Sequence, residues 1–274
     1  MNQPRILARV VSGLAACAAL SACAGSISQQ EEVQIGQQNA AQINAQLPML
    51  NDGTISSYVN SLGQAIARRT SRGDLDWHFA VVNSEVINAF ALPGGYVYVN
   101  RGVLTNASNE SELAGVLGHE IEHVVRRHSV KQMEQMQGAN IGVGLACALT
   151  NVCQNTAAQA AIQVGGTAVF AKFSRGDEVQ ADEGGFNNVI NAGISPRGML
   201  TFFQKLLSEE QQSGGGNASA WFSDHPGTQD RIADIQRMLN DNGSRISGLR
   251  TDSQGFQTMK ARLRQLPAAP RATQ

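Results

Sequence analysis

The chain is poor in cysteine, poor in charge and without a long apolar run, and each shortage closes off a class of protein. Four cysteines in 274 residues are too few for a disulfide-built scaffold. Charged residues make up only 16%, and 21 Lys and Arg nearly balance 22 Asp and Glu. That balance excludes both a highly charged disordered chain and a basic nucleic-acid binder. No stretch of about 18 apolar residues marks a spanning helix. What remains is a 42% apolar composition in a length that suits one or two domains with a sizeable core.

Arg5 and Arg9 precede a short apolar run from Val10 to Leu20, broken only by Ser12 and Gly13, the layout of a secretory signal peptide over residues 1–22. The run ends in Leu20-Ser21-Ala22-Cys23, which resembles the bacterial lipobox. That resemblance implies a lipid on Cys23, a tether over 23–30, and membrane attachment through the N-terminal acyl chains. Ala24, where inner-membrane lipoproteins carry aspartate, favours the outer membrane facing the periplasm. The alternative is a soluble secreted protein in which Cys23 merely belongs to the apolar region. In an oxidising compartment Cys147 and Cys153 are expected to pair across their short loop; a metal-ligand role is disfavoured because no His or acid lies close to either.

Residues 31–47 have helical composition and stop at Pro48. Ile55, Tyr58, Val59, Leu62 and Ile66 recur at helical spacing. Runs at 77–82, 87–91 and 96–99, with a Pro93-Gly94-Gly95 turn, predict a small antiparallel sheet. Asn109 followed by Glu112 has the form of a capping box, opening a helix expected to run past Arg127. Residues 138–170, rich in Ala and Gly, read as closely packed helical pieces, with membrane contact as the alternative. Helices are expected at 178–191, 196–208 and 228–239, then a loosely patterned tail over 243–274. The expected fold is α+β and mainly helical, a single domain over 31–242.

The chemistry lies in His119-Glu120-Ile121-Glu122-His123. At 3.6 residues per turn the two imidazoles project from one face, suited to one zinc ion. Glu120 falls within the stripe of Leu113, Val116, Leu117, Ile121 and Val124, where a lone carboxylate is costly without a compensating partner. A catalytic zinc takes a third protein ligand, and Glu178, opening a later helix, is the candidate. Asp182, one turn on, could accept the remaining N–H of a ligand imidazole. The bland alternatives are an ordinary polar helix with Glu120 paired to Arg127, and acids gathered at a helix start. His128, beside Arg126 and Arg127, reads as structural or solvated.

His119 to His123, Ser174-Arg175 to Glu178, Ala181-Asp182, Asp224-His225-Pro226 and Arg231-Ile232 together resemble the HtpX and CAAX-prenyl-protease family of zinc metallopeptidases. With the lipobox, the chain is most similar to small periplasmic lipoproteins of the LoiP type. The resemblance implies a zincin-like core with a small sheet packed against the HExxH helix. It implies one Zn2+ held by His119, His123 and Glu178, Glu120 as general base and acid, and His225 as oxyanion-stabilising group. Arg231 could pair with a carboxylate near the metal, or be exposed. The departures are Glu122, where a small residue is frequent, and Glu183-Gly184-Gly185, which lacks a frequent basic residue.

These readings point to an endopeptidase acting on unfolded or misassembled envelope proteins, bound in extended form along Asn88, Ala89, Phe90 and Ala91 as a strand edge. Nucleic acid is not an expected partner; envelope assembly machinery is. Two rivals stay open: a zinc-bearing chaperone or assembly factor with little proteolysis, and a structural zinc site closed by His225.

Overall fold

Three strands, β1 (His78–Val82), β2 (Ala89–Leu92) and β3 (Tyr96–Asn100), form a sheet in the order β1-β3-β2. The computed structural model describes residues 26–136, 173–213, 221 and 224–270. The signal peptide, Cys23 and the whole of 138–170, with Cys147 and Cys153, lie outside them. β2 and β3 make the antiparallel hairpin expected around Pro93-Gly94-Gly95, but β1 runs parallel to β3. The sheet is therefore mixed, not antiparallel throughout. Residues 83–88 carry the chain past the neighbouring position, and β3 returns between the first two strands in the direction of β1.

Side chains alternate across the sheet with period two. Phe79, Val81, Ala89, Ala91, Val97 and Val99 enter the main core, whereas Val82, Leu92 and Tyr98 meet Ala40 and Ile43 of α1 (Gln29–Gln46). Helix α1 is fixed by Glu32, which is fully buried. Its carboxylate accepts two bonds from Arg72 (2.8 and 3.1 Å), one from Arg127 (2.8 Å) and one from the Gly94 amide (3.1 Å). Just before α1, the Ile27 amide donates to Glu134 (2.8 Å) and the Ile27 carbonyl accepts from Arg127.

On the core side, α2 (Gly53–Ala67) packs against β1, and a short α3 (Arg101–Asn106) leads into α4 (Glu110–Val125). Every side chain of α4 from Glu110 to Val124 is buried. Asn109 caps it by accepting the Glu112 amide. The second half of the expected box is absent, because Glu112 accepts from the Ser108 amide, Thr201 and Lys205 instead. The helix also stops short of its expected end. It closes at Val125, Arg127 takes a left-handed φ of 57°, and a new helical stretch covers 128–136.

Among the described residues four further helices follow, α5 (Arg175–Asn191), α6 (Arg197–Ser213), α7 (Thr228–Asp241) and α8 (Gln254–Leu263); α5 and α6 pack against α4, α7 against α5 and α6, and α8 against α2 and α3. Ser174 and Asp177 cap α5 reciprocally. Helices α4 and α5 meet glycine on glycine. A Cβ on Gly185 would come within 2.9 Å of the Gly118 carbonyl carbon and the His119 nitrogen, so only glycine permits this approach beside His119. The stretch expected as a loose tail contains α8, which buries Phe256, Met259 and Leu263 in the core. Among the described residues, no helix is long and apolar enough to cross a membrane.

Candidate metal centre

The close crossing of α4 and α5 brings residues some 55 positions apart into one buried cluster. His119 and His123, one turn apart on α4, turn their Nε2 atoms toward each other at 3.0 Å. The Glu178 carboxylate of α5 faces both, Oε2 at 3.4 Å from His119 Nε2 and Oε1 at 3.5 Å from His123 Nε2. His225 Nδ1 lies 3.2 Å from Glu178 Oε1 and 3.3 Å from His119 Nε2. The ligating atoms of all four residues fall within 4.8 Å of one another. Two imidazoles and a carboxylate, plus a third imidazole, form a donor set suited to a divalent transition metal.

Glu120 gives an independent test of that fit. It is fully buried, and among the described residues neither carboxylate oxygen has a hydrogen-bond partner; the nearest basic group there is His225 Nε2 at 3.5 Å. An unsatisfied buried carboxylate is expensive, and burial raises its pKa above the ordinary range. A cation with its water beside Glu120 would relieve both costs.

The surroundings set the other charges. His119 Nδ1 meets Asp182 Oδ1 at 2.9 Å, and Arg231 donates to Asp182 twice, at 2.6 and 2.8 Å. Arg231 also contacts Glu178 Oε2 at 2.6 Å and lies over the Phe203 ring. Burial and the Arg231 charge oppose a proton on His119, but Glu178 and Asp182 outweigh them and raise its pKa to about 9. Burial, reinforced by the neighbouring His119, holds His123 well below its ordinary value. Burial opposes charge on Glu178 and Asp182 too, yet His225 and His119 hold Glu178 low, and Arg231 does so for Asp182.

His225 is anchored by its own loop. Its amide donates to the Trp221 carbonyl at 2.7 Å, and the Trp221 ring stacks on it at 4.5 Å. Asn88 Nδ2 donates to Asp224 at 2.8 Å, so the side chain offered above as part of a substrate edge ties the start of β2 to this loop. β2 itself is at one edge of the sheet against α4, with Ala89 and Ala91 buried and Phe90 stacked on Tyr98.

The fold brings together His119, His123, Glu178, Asp182 and Arg231, all of them candidates from the sequence; Arg231 is buried rather than exposed. His128, read from the sequence as structural or solvated, is buried, and Trp221 carried no sequence signal. The Nδ1 of His128 lies 2.9 Å from His123 Nδ1. Five positions separate the two, which puts them on different faces of a continuous helix, so no local pattern announced the contact.

Residues 55–239 match peptidase family M48. The chain is 30% identical over 224 residues to the Beta-barrel assembly-enhancing protease of Escherichia coli, covering 79% of this chain and 46% of that one. It is 30% identical over 167 residues to the Metalloprotease LoiP of Escherichia coli, covering 61% and 64%. With the Metalloprotease YcaL of the same organism, identity is 29% over 159 residues, covering 58% and 61%. The chain thus spans less than half the length of the first of these relatives.

Proposed function

That the chain belongs to peptidase family M48 is the premise from which we propose a zinc-dependent endopeptidase that clears misfolded or misassembled proteins of the bacterial envelope. The observation that carries this reading is Glu120, buried without a hydrogen-bond partner beside two imidazoles and a carboxylate that converge. His119, His123 and Glu178 would hold the zinc. Bound there, zinc supplies Lewis-acid polarisation of the scissile carbonyl and acidifies a water.

Glu120 then takes the proton from the attacking water and returns it to the departing amine. Its raised proton affinity suits that exchange, because a carboxylate that readily protonates can also deliver the proton. His225 donates to the carbonyl oxygen as negative charge develops there, a contribution of about 3 kcal/mol for a donor of this kind. A second role for His225 is favoured by its position among the ligating atoms: with zinc bound it would serve as a fourth donor and close the site. β2, an edge strand beside the ligand helix, is the element along which an extended substrate would lie.

The lipobox-like segment supports attachment through Cys23 to the outer membrane, facing the periplasm. The relatives' names support polypeptide substrates and contact with envelope assembly machinery. The experiment is digestion of casein and of an unfolded outer-membrane protein with and without a chelator, alongside Glu120→Gln. The variant is expected to retain zinc by metal analysis and to lose at least about a hundredfold in rate. Undiminished digestion by Glu120→Gln would overturn the assignment.

A further inference from the structure

The two histidines of the ligand pair each need one nitrogen turned inward and the other satisfied from behind. For His119 the rear partner is Asp182, already described. For His123 the inward atom is also Nε2, 3.5 Å from Glu178 Oε1. A nitrogen that binds a metal carries no proton, so in the neutral ring the proton sits on Nδ1. The partner of Nδ1 is His128 Nδ1, at 2.9 Å with the two rings nearly perpendicular (74°).

Two ring nitrogens at hydrogen-bond distance cannot both carry a proton. His128 must therefore present a bare Nδ1, and its own proton must sit on Nε2. The groups facing Nε2 are both acceptors, Gln180 Oε1 at 3.4 Å and Asp177 Oδ1 at 3.5 Å. Both stand on α5 and flank Glu178. The proton assignment closes without conflict from His123 through His128 to the first turns of the helix that carries the third ligand.

The backbone is bent to make this contact. Along an unbroken helix a residue five positions on is rotated about 140° from the first, away from the back of His123. Arg127 breaks the helix with φ 57°, in a region that non-glycine residues seldom occupy. Its side chain is held there by Glu32 and the Ile27 carbonyl. His128 is 1% exposed, so solvent does not replace it.

We propose that His128 is a positioning residue for the metal. As a neutral acceptor it fixes His123 with its proton on Nδ1 and Nε2 aimed inward, the office Asp182 performs for His119. The proposal rests on the metal reading above and goes beyond it by assigning a residue outside the ligand set.

The test uses the full chain with His128→Leu, which keeps bulk and removes the acceptor, and His128→Gln, whose amide oxygen can accept. Circular dichroism and thermal unfolding report the fold, competition with a chromogenic chelator reports zinc affinity, and the visible spectrum of the cobalt-loaded protein reports ligand geometry. His128→Leu should weaken zinc binding on the order of 10- to 100-fold and shift the cobalt bands. His128→Gln should recover affinity to within a few-fold and restore the bands. Wild-type affinity and spectrum in His128→Leu would overturn the proposal, as would a well-folded His128→Gln as impaired as Leu. A wild-type chain that binds neither metal would overturn both the proposal and the reading beneath it.

Discussion

His119 and His123 stand one turn apart on the same helix, yet they are backed by opposite chemistries. Behind His119 lies a charged assembly, Asp182 clamped by Arg231, which also reaches Glu178. Behind His123 lies a second imidazole, His128, whose far nitrogen faces Gln180 and, slightly further off, Asp177. The consequence is electrostatic. Against burial and the Arg231 charge, Glu178 and then Asp182 raise the proton affinity of His119 to a pKa of about 9, while burial and the neighbouring His119 hold His123 well below its ordinary value. Before a metal binds, one ligand of the pair thus favours the cationic ring at neutral pH and the other the neutral ring.

Removing the cation from the charged side should have the largest effect. Arg231→Ala leaves two buried carboxylates without their shared partner and is expected to cost about 3–5 kcal/mol, measured by chemical denaturation. A loss below about 1 kcal/mol would mean that the charged side is not held as a unit. Asp182→Asn keeps the shape and removes the charge. Zinc affinity should fall on the order of 10- to 100-fold, and the proton affinity of His119 should fall with it. If the affinity of Asp182→Asn stays at the wild-type level, the anion is not what distinguishes the two sides.

The asymmetry also predicts a pH dependence. The folded-state pKa of His119, about 9, lies above its ordinary value of 6.5. Its contribution to the stability of chelator-treated protein is therefore complete below about pH 6.5 and is lost as pH rises through about 9. At pH 7, zinc uptake should release about one proton from this group, read by calorimetry in buffers of different ionisation enthalpy. Zero release would assign His119 a neutral ring. The smallest effect belongs to a position behind the ligand helix. A Cβ on Gly184 would fall 2.0 Å from the Glu122 carboxyl carbon, so Gly184→Ala should destabilise by about 1–3 kcal/mol. Glu122→Ala in the same chain should restore most of that loss, with zinc affinity unchanged. A change in affinity would show that the backing of the ligands extends this far.

Glu122 and Gly184 show what a sequence can and cannot disclose. Read separately they were two departures from a family pattern. In space they are one accommodation: Glu122 fills the room that Gly184 leaves, and its carboxylate accepts from Arg126 (2.7 Å) and Asn188 (2.8 Å). His119, Glu120 and His123 were legible because four residues make one helical turn, and α4 because its apolar stripe and Asn109 cap are local. Glu178 and Asp182 could be nominated from the need for a third ligand and their spacing at a helix start, but only the family pattern favoured them over other acids, since nothing local announces a contact across 55 residues. His128 was hidden by the helix break at Arg127, and the parallel pairing of β1 by a strand order that depends on the whole fold. The last helix did leave a trace, Phe256, Met259 and Leu263 at spacings of three and four, too sparse among polar neighbours to stand out.

The clasp on Ile27 has a consequence for where this chemistry can occur. Only four residues of chain run from Cys23 to the point where Arg127 and Glu134 grip the backbone, a leash of about 14 Å when fully extended. With acyl chains on Cys23, as proposed, the far end of the ligand helix would be moored against the lipid headgroups. Polypeptides would have to be presented at the bilayer surface, and lengthening that leash would let the same catalyst roam deeper into the aqueous space.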